Sequence, residues 1–202
     1  MEIKNPGSRF GFPNAPGDVT EDYHKSSSFS RQPQKFDDVE SLDYLEIVGQ
    51  LWISIRVFEL TLRNFVHQRL FEVYQNDKWW LNNRLIKSQH VLRYQKATNI
   101  QGLTLSSLTL LFSAAYKDIW EKVFFPSFLN PRGINRSQFH KQLEYVRKFR
   151  NIIAHHGYLR KSNVIQSLIY MYSIASAIDP KAADWLFKTK KAIEELMKEI
   201  PN

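Results

Sequence analysis

The stretch VRKFRNIIAHHGYL, residues 146–159, sets Arg150, Asn151, His155, His156 and Tyr158 within nine positions of one another. These groups suit the cleavage of a phosphodiester. A permanently charged guanidinium with a planar donor fork holds a phosphate and stabilises the charge of a pentacoordinate transition state. Histidine side chains titrate near neutrality, so an imidazole can take a proton from a ribose 2′-hydroxyl or give one to the leaving 5′-oxygen. Asn151, four residues before His155, falls about 40° from it on a helix, where its amide can orient the imidazole or bind phosphate. Spacing alone leaves the histidine open, since four intervening residues select His155 and five select His156. The competing structural reading is a helix C-terminus whose histidines only complement the dipole.

The surrounding charge fits an anionic ligand. Lys plus Arg number 28 against 20 Asp plus Glu, a net charge of +8, with a pI near 9.6. Arg132, Arg136, Lys141, Arg147, Lys148, Arg150, Arg160 and Lys161 lie between positions 131 and 163 with Glu144 as the lone acid among them. Such a run forms either a solvated helix face or a phosphate-facing surface. On the second reading Arg147, Lys148, His156, Tyr158, Arg160 and Lys161 are RNA contacts, with Arg147 as the nearest phosphate ligand beside Arg150.

The elements that position these groups read as helices. Residues 1–36 hold four of the eight prolines, three of the seven glycines and a triple serine without apolar periodicity, which predicts an extended or disordered tail. From Asp37 a helical domain, 37–202, takes over. Apolar residues recur every three or four positions from Leu45 through Trp52 to Val73, with Gly49 as a bend point. The pattern further predicts a polar helix over 81–98 and another from Thr104 or Ser106 to 123. A third starts near Asn135 or Ser137, buries Phe139, Leu143, Val146 and Ile153, and stops at Gly157. Ser162 is read as the cap of the next, and Asp179-Pro180 as the start of the last. The expectation is an all-α bundle of five or six helices with no strand.

Several chemistries are excluded by what the chain lacks. It has no cysteine, no glycine-rich phosphate loop, no G-x-S-x-G elbow and no H-E-x-x-H pair. Adjacent His155 and His156 would point about 100° apart on a helix, a poor geometry for one ion, so neither a metal nor another cofactor is expected. No apolar run reaches the ~18 residues of a membrane span, and the first residues lack a secretion signal, so the expectation is a cytoplasmic protein without a membrane partner.

The run Arg150-Asn151-Ile152-Ile153-Ala154-His155-His156 resembles the R-N-x-x-A-H-H signature of the Abi-like proteins, a bacterial phage-defence branch of the HEPN superfamily. Phe58-Glu59-Leu60-Thr61-Leu62-Arg63-Asn64 followed by Trp79-Trp80 is similar to the same group, in which an E-x-x-x-R helix precedes an aromatic pair. The likeness runs from about Leu42 to about residue 175 and leaves out the tail. It implies a HEPN-like bundle and a metal-independent endoribonuclease of an abortive-infection (antiviral defence) or toxin-antitoxin system. It also implies a homodimer whose two motifs meet in one cleft, His155 as the motif histidine, and an antitoxin protein or small RNA as a further partner. Some proteins of this fold bind RNA without cutting it, which keeps a non-catalytic RNA-binding module as the alternative; a bundle that only binds proteins is the third. Tyr158 departs by one residue from the tyrosine that is modified in some HEPN toxins, so packing or base stacking suits it better. Glu59, Arg63 and His67 form one stripe on the first helix. They read either as an intrahelical ion pair at a partly buried edge or as support reaching Arg150 or the RNA.

Overall fold

The computed structural model describes residues 42–155 and 159–199. The tail expected over 1–36, and with it His156, Gly157 and Tyr158, lie outside the described residues. Within them the chain is all-α, without a strand. Seven α-helices follow one another: α1 Leu42–Tyr74, α2 Val91–Gln95, α3 Leu105–Leu110, α4 Lys117–Ile119, α5 Arg136–Ala154, α6 Lys161–Ile178 and α7 Pro180–Glu199. Four are long and build the bundle; three are short turns within its connections.

Helix α1 is the spine, 33 residues or about 50 Å of axis. Leu51, Ile55, Phe58, Leu62, Val66 and Leu70 repeat at helical spacing and are sealed from solvent, so this face carries α5, α6 and α7. Gly49 sits in open space inside the helix and does not interrupt it. Leu45, Trp52 and Val73, which the periodicity assigns to the same apolar set, are exposed. The helix ends where Gln75 takes a left-handed backbone, φ 50°, followed by an Asn76 side chain that accepts from the Lys78 N–H at 2.9 Å.

The connection after α1 departs from the expected helix over 81–98. It consists of short 3₁₀ turns at Trp79–Leu81 and Ser88–His90 and the five-residue α2. Local side-chain bonds compete with the helix here: the Asn82 carboxamide accepts from the Arg84 N–H at 2.9 Å. Buried rings then fix the path. Trp79 meets Trp80 edge-on at 5.6 Å, the Trp80 indole donates to the Ala97 carbonyl at 3.1 Å, and the Tyr94 hydroxyl donates to the Ser107 carbonyl at 2.7 Å.

The expected helix over 104–123 is broken as well. Thr104 caps α3, accepting from the Ser107 N–H at 3.2 Å, but Ser113 turns extended and the chain re-enters through α4 into a π-helical turn at Trp120–Phe124. That wider turn places Trp120, Val123 and Phe124 together in the core. Phe112 is the hub of this cluster, with ring centroids 4.7 Å from Phe124 and 5.0 Å from Phe139 of α5.

The remaining elements begin almost as read. The Asn135 side chain caps α5, accepting from Ser137 and Gln138 at 2.8 and 3.3 Å. Phe139, Leu143, Val146 and Ile153 are buried as expected, joined by Phe149. Helix α6 starts one residue before Ser162, which is not its cap; Arg160 holds that position without a side-chain bond. Asp179 caps α7, accepting from Lys181 and Ala182 at 2.9 and 3.2 Å, with Pro180 in the first helical position.

Two consequences are measurable. Phe112→Ala leaves a cavity beside Trp120, Phe124 and Phe139 and should cost about 3–5 kcal/mol, read from the urea midpoint. Burial pulls the imidazoles of His90 and His140 below the ordinary value of 6.5. Arg93 and Lys87 add to this at His90; at His140, Glu144 opposes it while Arg136 and Arg147 reinforce it. The unfolded chain therefore takes up protons first as pH falls below about 6.5, so this stability is complete above that value and is lost as pH falls through the lowered folded values. Replacing both histidines by Gln should flatten the decline; an unchanged slope would contradict the assignment.

Candidate functional site

The last turn of α5 is anchored from inside. Phe149 and Ile153 are buried, which turns Arg150 and Asn151 to a half-buried flank and leaves His155 exposed at the helix end. His155 is the capping residue, with φ −107° and ψ 19°; its N–H donates to the Asn151 carbonyl at 3.1 Å. The helix thus stops at Ala154, before the expected Gly157. The side chains of Arg150, Asn151 and His155 are brought to one helix end, and none is hydrogen-bonded among the described residues.

Arg150 is held by an aromatic ring rather than a carboxylate. Its guanidinium carbon stands 5.9 Å from the ring centroid of Trp52 on α1, within the range of a cation–π contact. Trp52 is 39% exposed. Apolar spacing assigns it to the core; the contrary signal in the sequence is its position next to Leu51, about 100° off the Leu51–Ile55–Phe58 face. Guanidinium donors left free of carboxylates stay open to an incoming anion.

The other residues singled out in the sequence divide. Arg147 forms a fork with Glu144, Nη2 to Oε2 at 2.7 Å and Nε to the same oxygen at 3.0 Å, so its donors are largely engaged. Lys161 donates to the Met197 carbonyl at 3.1 Å and braces α7. Lys148 and Arg160 are exposed. Glu59 and Arg63 do not bond to Arg150. Arg63 is 4% exposed; its Nη2 lies 3.8 Å from Glu59 Oε1 and donates to the Leu103 carbonyl at 3.0 Å. Glu59 accepts from the Leu105 N–H at 3.0 Å, and the Trp79 indole donates to His67 Nδ1 at 3.3 Å. The stripe is therefore a structural seam joining α1 to the two segments that follow it. Among the described residues no three His, Asp or Glu side chains gather in a metal-ligating group, and no helix is long and apolar enough to cross a membrane.

The seam gives a direct expectation. Glu59→Ala strands the buried Arg63 charge and leaves the Leu105 N–H unpaired, so it should cost about 3 kcal/mol in urea denaturation. The folded fraction should keep whatever RNA affinity the wild type has; a selective loss of RNA binding at unchanged stability would restore Glu59 to the site.

No family model, no curated protein and no solved structure matches this chain. What the α5 terminus can do therefore follows from its own groups: a guanidinium in cation–π contact with a half-open indole, a carboxamide one residue on, and an exposed imidazole five residues from the guanidinium.

Proposed function

We propose that this chain is a metal-independent endoribonuclease that acts through Arg150 and His155, as its resemblance to the Abi-like branch of HEPN proteins implies. The reading is supported above all by the state of Arg150: half-buried, in cation–π contact with Trp52 at 5.9 Å and engaged by no carboxylate among the described residues. A guanidinium spared from ion pairing, on the same helix end as an exposed imidazole, is suited to an anion whose charge grows during reaction.

The chemistry is transesterification. A histidine takes the proton of the ribose 2′-hydroxyl, the 2′-oxygen attacks phosphorus, the bond to the 5′-oxygen breaks, and that oxygen receives a proton. The products are a 2′,3′-cyclic phosphate and a 5′-hydroxyl. Arg150 stabilises the phosphorane, while Asn151 binds phosphate or steadies the imidazole. The nucleophile belongs to the substrate and the charge is met by Arg150, so the route requires no divalent ion. The His155 imidazole has no orienting hydrogen bond among the described residues, which fits a site completed by a second copy, Arg150 of one chain serving His155 of the other. The same lack of an orienting partner favours the second reading, a non-catalytic RNA-binding module. A cytoplasmic role in abortive infection, with an antitoxin protein or small RNA as regulator, belongs to the same proposal.

Cleavage of labelled total RNA in EDTA is the test. Activity should persist without metal and vanish on RNA carrying a single 2′-deoxy group at the cut. His155→Ala should lower cleavage at least ~100-fold with binding nearly intact. Arg150→Ala should impair both, and Arg150→Lys should not restore them. Activity in His155→Ala but not His156→Ala would move the role to His156; wild-type binding without any cleavage would establish the non-catalytic reading.

A further inference from the structure

Between Asp77 and Asp118 the chain carries Lys78, Arg84, Lys87, Arg93, Lys96 and Lys117 and not one acidic residue. The first five are exposed, and none is in an ion pair among the described residues; Lys117 alone reaches a carboxylate, that of Glu121 at 3.6 Å. Elsewhere on the surface Arg69, Arg147, Lys188, Lys190 and Lys198 each meet a carboxylate on their own helix, while Arg56, Arg132, Lys141 and Arg160 are exposed and in no ion pair among the described residues. What sets Lys78–Lys96 apart is five such cations in nineteen residues with no acid between them.

The backbone arranges part of this charge in a row. Lys87, His90, Arg93 and Lys96 are three residues apart along the continuous path formed by the Ser88–His90 turn and α2. Side chains at this spacing eclipse in a 3₁₀ turn and remain neighbours on an α-helix, in steps of roughly 5–6 Å. The row is firmly mounted. His90 Nδ1 lies 3.0 Å from the Tyr116 hydroxyl, which also accepts from the Lys87 N–H at 3.3 Å. Arg93 reaches the Ser106 hydroxyl at 3.3 Å, and Tyr94 between them is buried and bonded to Ser107. Burial is the main reason that the His90 imidazole lies below its ordinary value, and Arg93 and Lys87 add to it, so His90 joins the row as a neutral hydrogen-bonding group between cations.

We propose that the segment Lys78–Lys96 is a second polyanion-binding surface, whose row Lys87, His90, Arg93 and Lys96 tracks the phosphodiester backbone of single-stranded RNA. The inference rests on the reading above only for the identity of the polyanion, not for cleavage. Exposed carboxamides of Asn83, Gln89 and Gln95 are interleaved with the cations; they donate and accept, which suits phosphates and base edges. Contacts of this kind hold a strand without reading its sequence.

The measurement is anisotropy of a labelled 20-nucleotide single-stranded RNA against the full chain over a salt series. Lys87→Ala/Arg93→Ala/Lys96→Ala should weaken binding at least tenfold at low salt. It should also reduce the slope of log K against log salt by about 2, because each neutralised phosphate of a single strand contributes roughly 0.7 to that slope. Its urea midpoint should stay close to the wild type's, because these side chains are exposed and the one bond removed, Arg93 to the Ser106 hydroxyl, is long and exposed. The weakening should multiply with that of Arg150→Ala if the two surfaces act separately. An unchanged slope in the triple variant, with Arg150→Ala still impaired, would overturn the proposal while leaving the α5 site standing. A wild type that binds no RNA at all would overturn both. Binding without cleavage would remove only the nuclease. Vesicles of phosphatidylserine and poly-glutamate are the alternative polyanions; equal or tighter triple-variant-sensitive binding to either would overturn the assignment to RNA.

Discussion

The burial of one guanidinium conditions the rest of the molecule. Among the described residues Arg63 sits inside the bundle with Glu59 and the Leu103 carbonyl as its partners, and a charge in that position is tolerable only while those partners stay in place. Glu59 in turn holds the Leu105 N–H, which sets where α3 begins. Helix α3 delivers Phe112 to the ring cluster, Phe112 packs on Phe139, and Phe139 fixes the register of α5. About three turns beyond Phe139, that register brings Arg150 over Trp52. The seam and the candidate site thus share a single helix, α1, which presents Arg63 inward and Trp52 outward.

Much of this is legible in the residues alone. The caps at Thr104, Asn135 and Asp179 follow from residues whose side chains bond the first free N–H groups, and the long helices follow from apolar spacing. The failures lie where side chains outcompete local pattern. Over 81–98 the Asn82 turn and the tethered tips of Trp80 and Tyr94 break the path. Over 104–123 several large rings need a place in the core, and a π turn at Trp120–Phe124 provides it where a regular helix would carry some of them away. A bare three-to-four spacing admits both Trp52 and Leu51, since each finds some apolar neighbour. The face angle separates them: Trp52 lies about 100° from the Leu51–Ile55–Phe58 line that the bundle buries.

Charge shows the same limit. Counting basic residues directs attention to 131–163, yet there Arg147 is forked with Glu144 and Lys161 is spent on a carbonyl of α7. The stretch from Lys78 to Lys96 holds fewer cations but no carboxylate to quench them. For an anionic ligand the absence of neutralising partners counts for more than the number of charges, because each paired cation must be released before it can meet a phosphate. At the α5 terminus a ring stands where a carboxylate could, and among the described residues the guanidinium is in no ion pair.

Cleavage by Arg150 and His155 through the RNA's own 2′-hydroxyl leaves a chemical record. Mass spectrometry of the ends made on a defined RNA oligonucleotide reads that record, because the ends identify the nucleophile. Attack by the 2′-oxygen requires a 2′,3′-cyclic phosphate on one fragment and a 5′-hydroxyl on the other, and that pair is the expected result. A 3′-hydroxyl paired with a 5′-phosphate would mean that water was the nucleophile and would overturn the proposed chemistry.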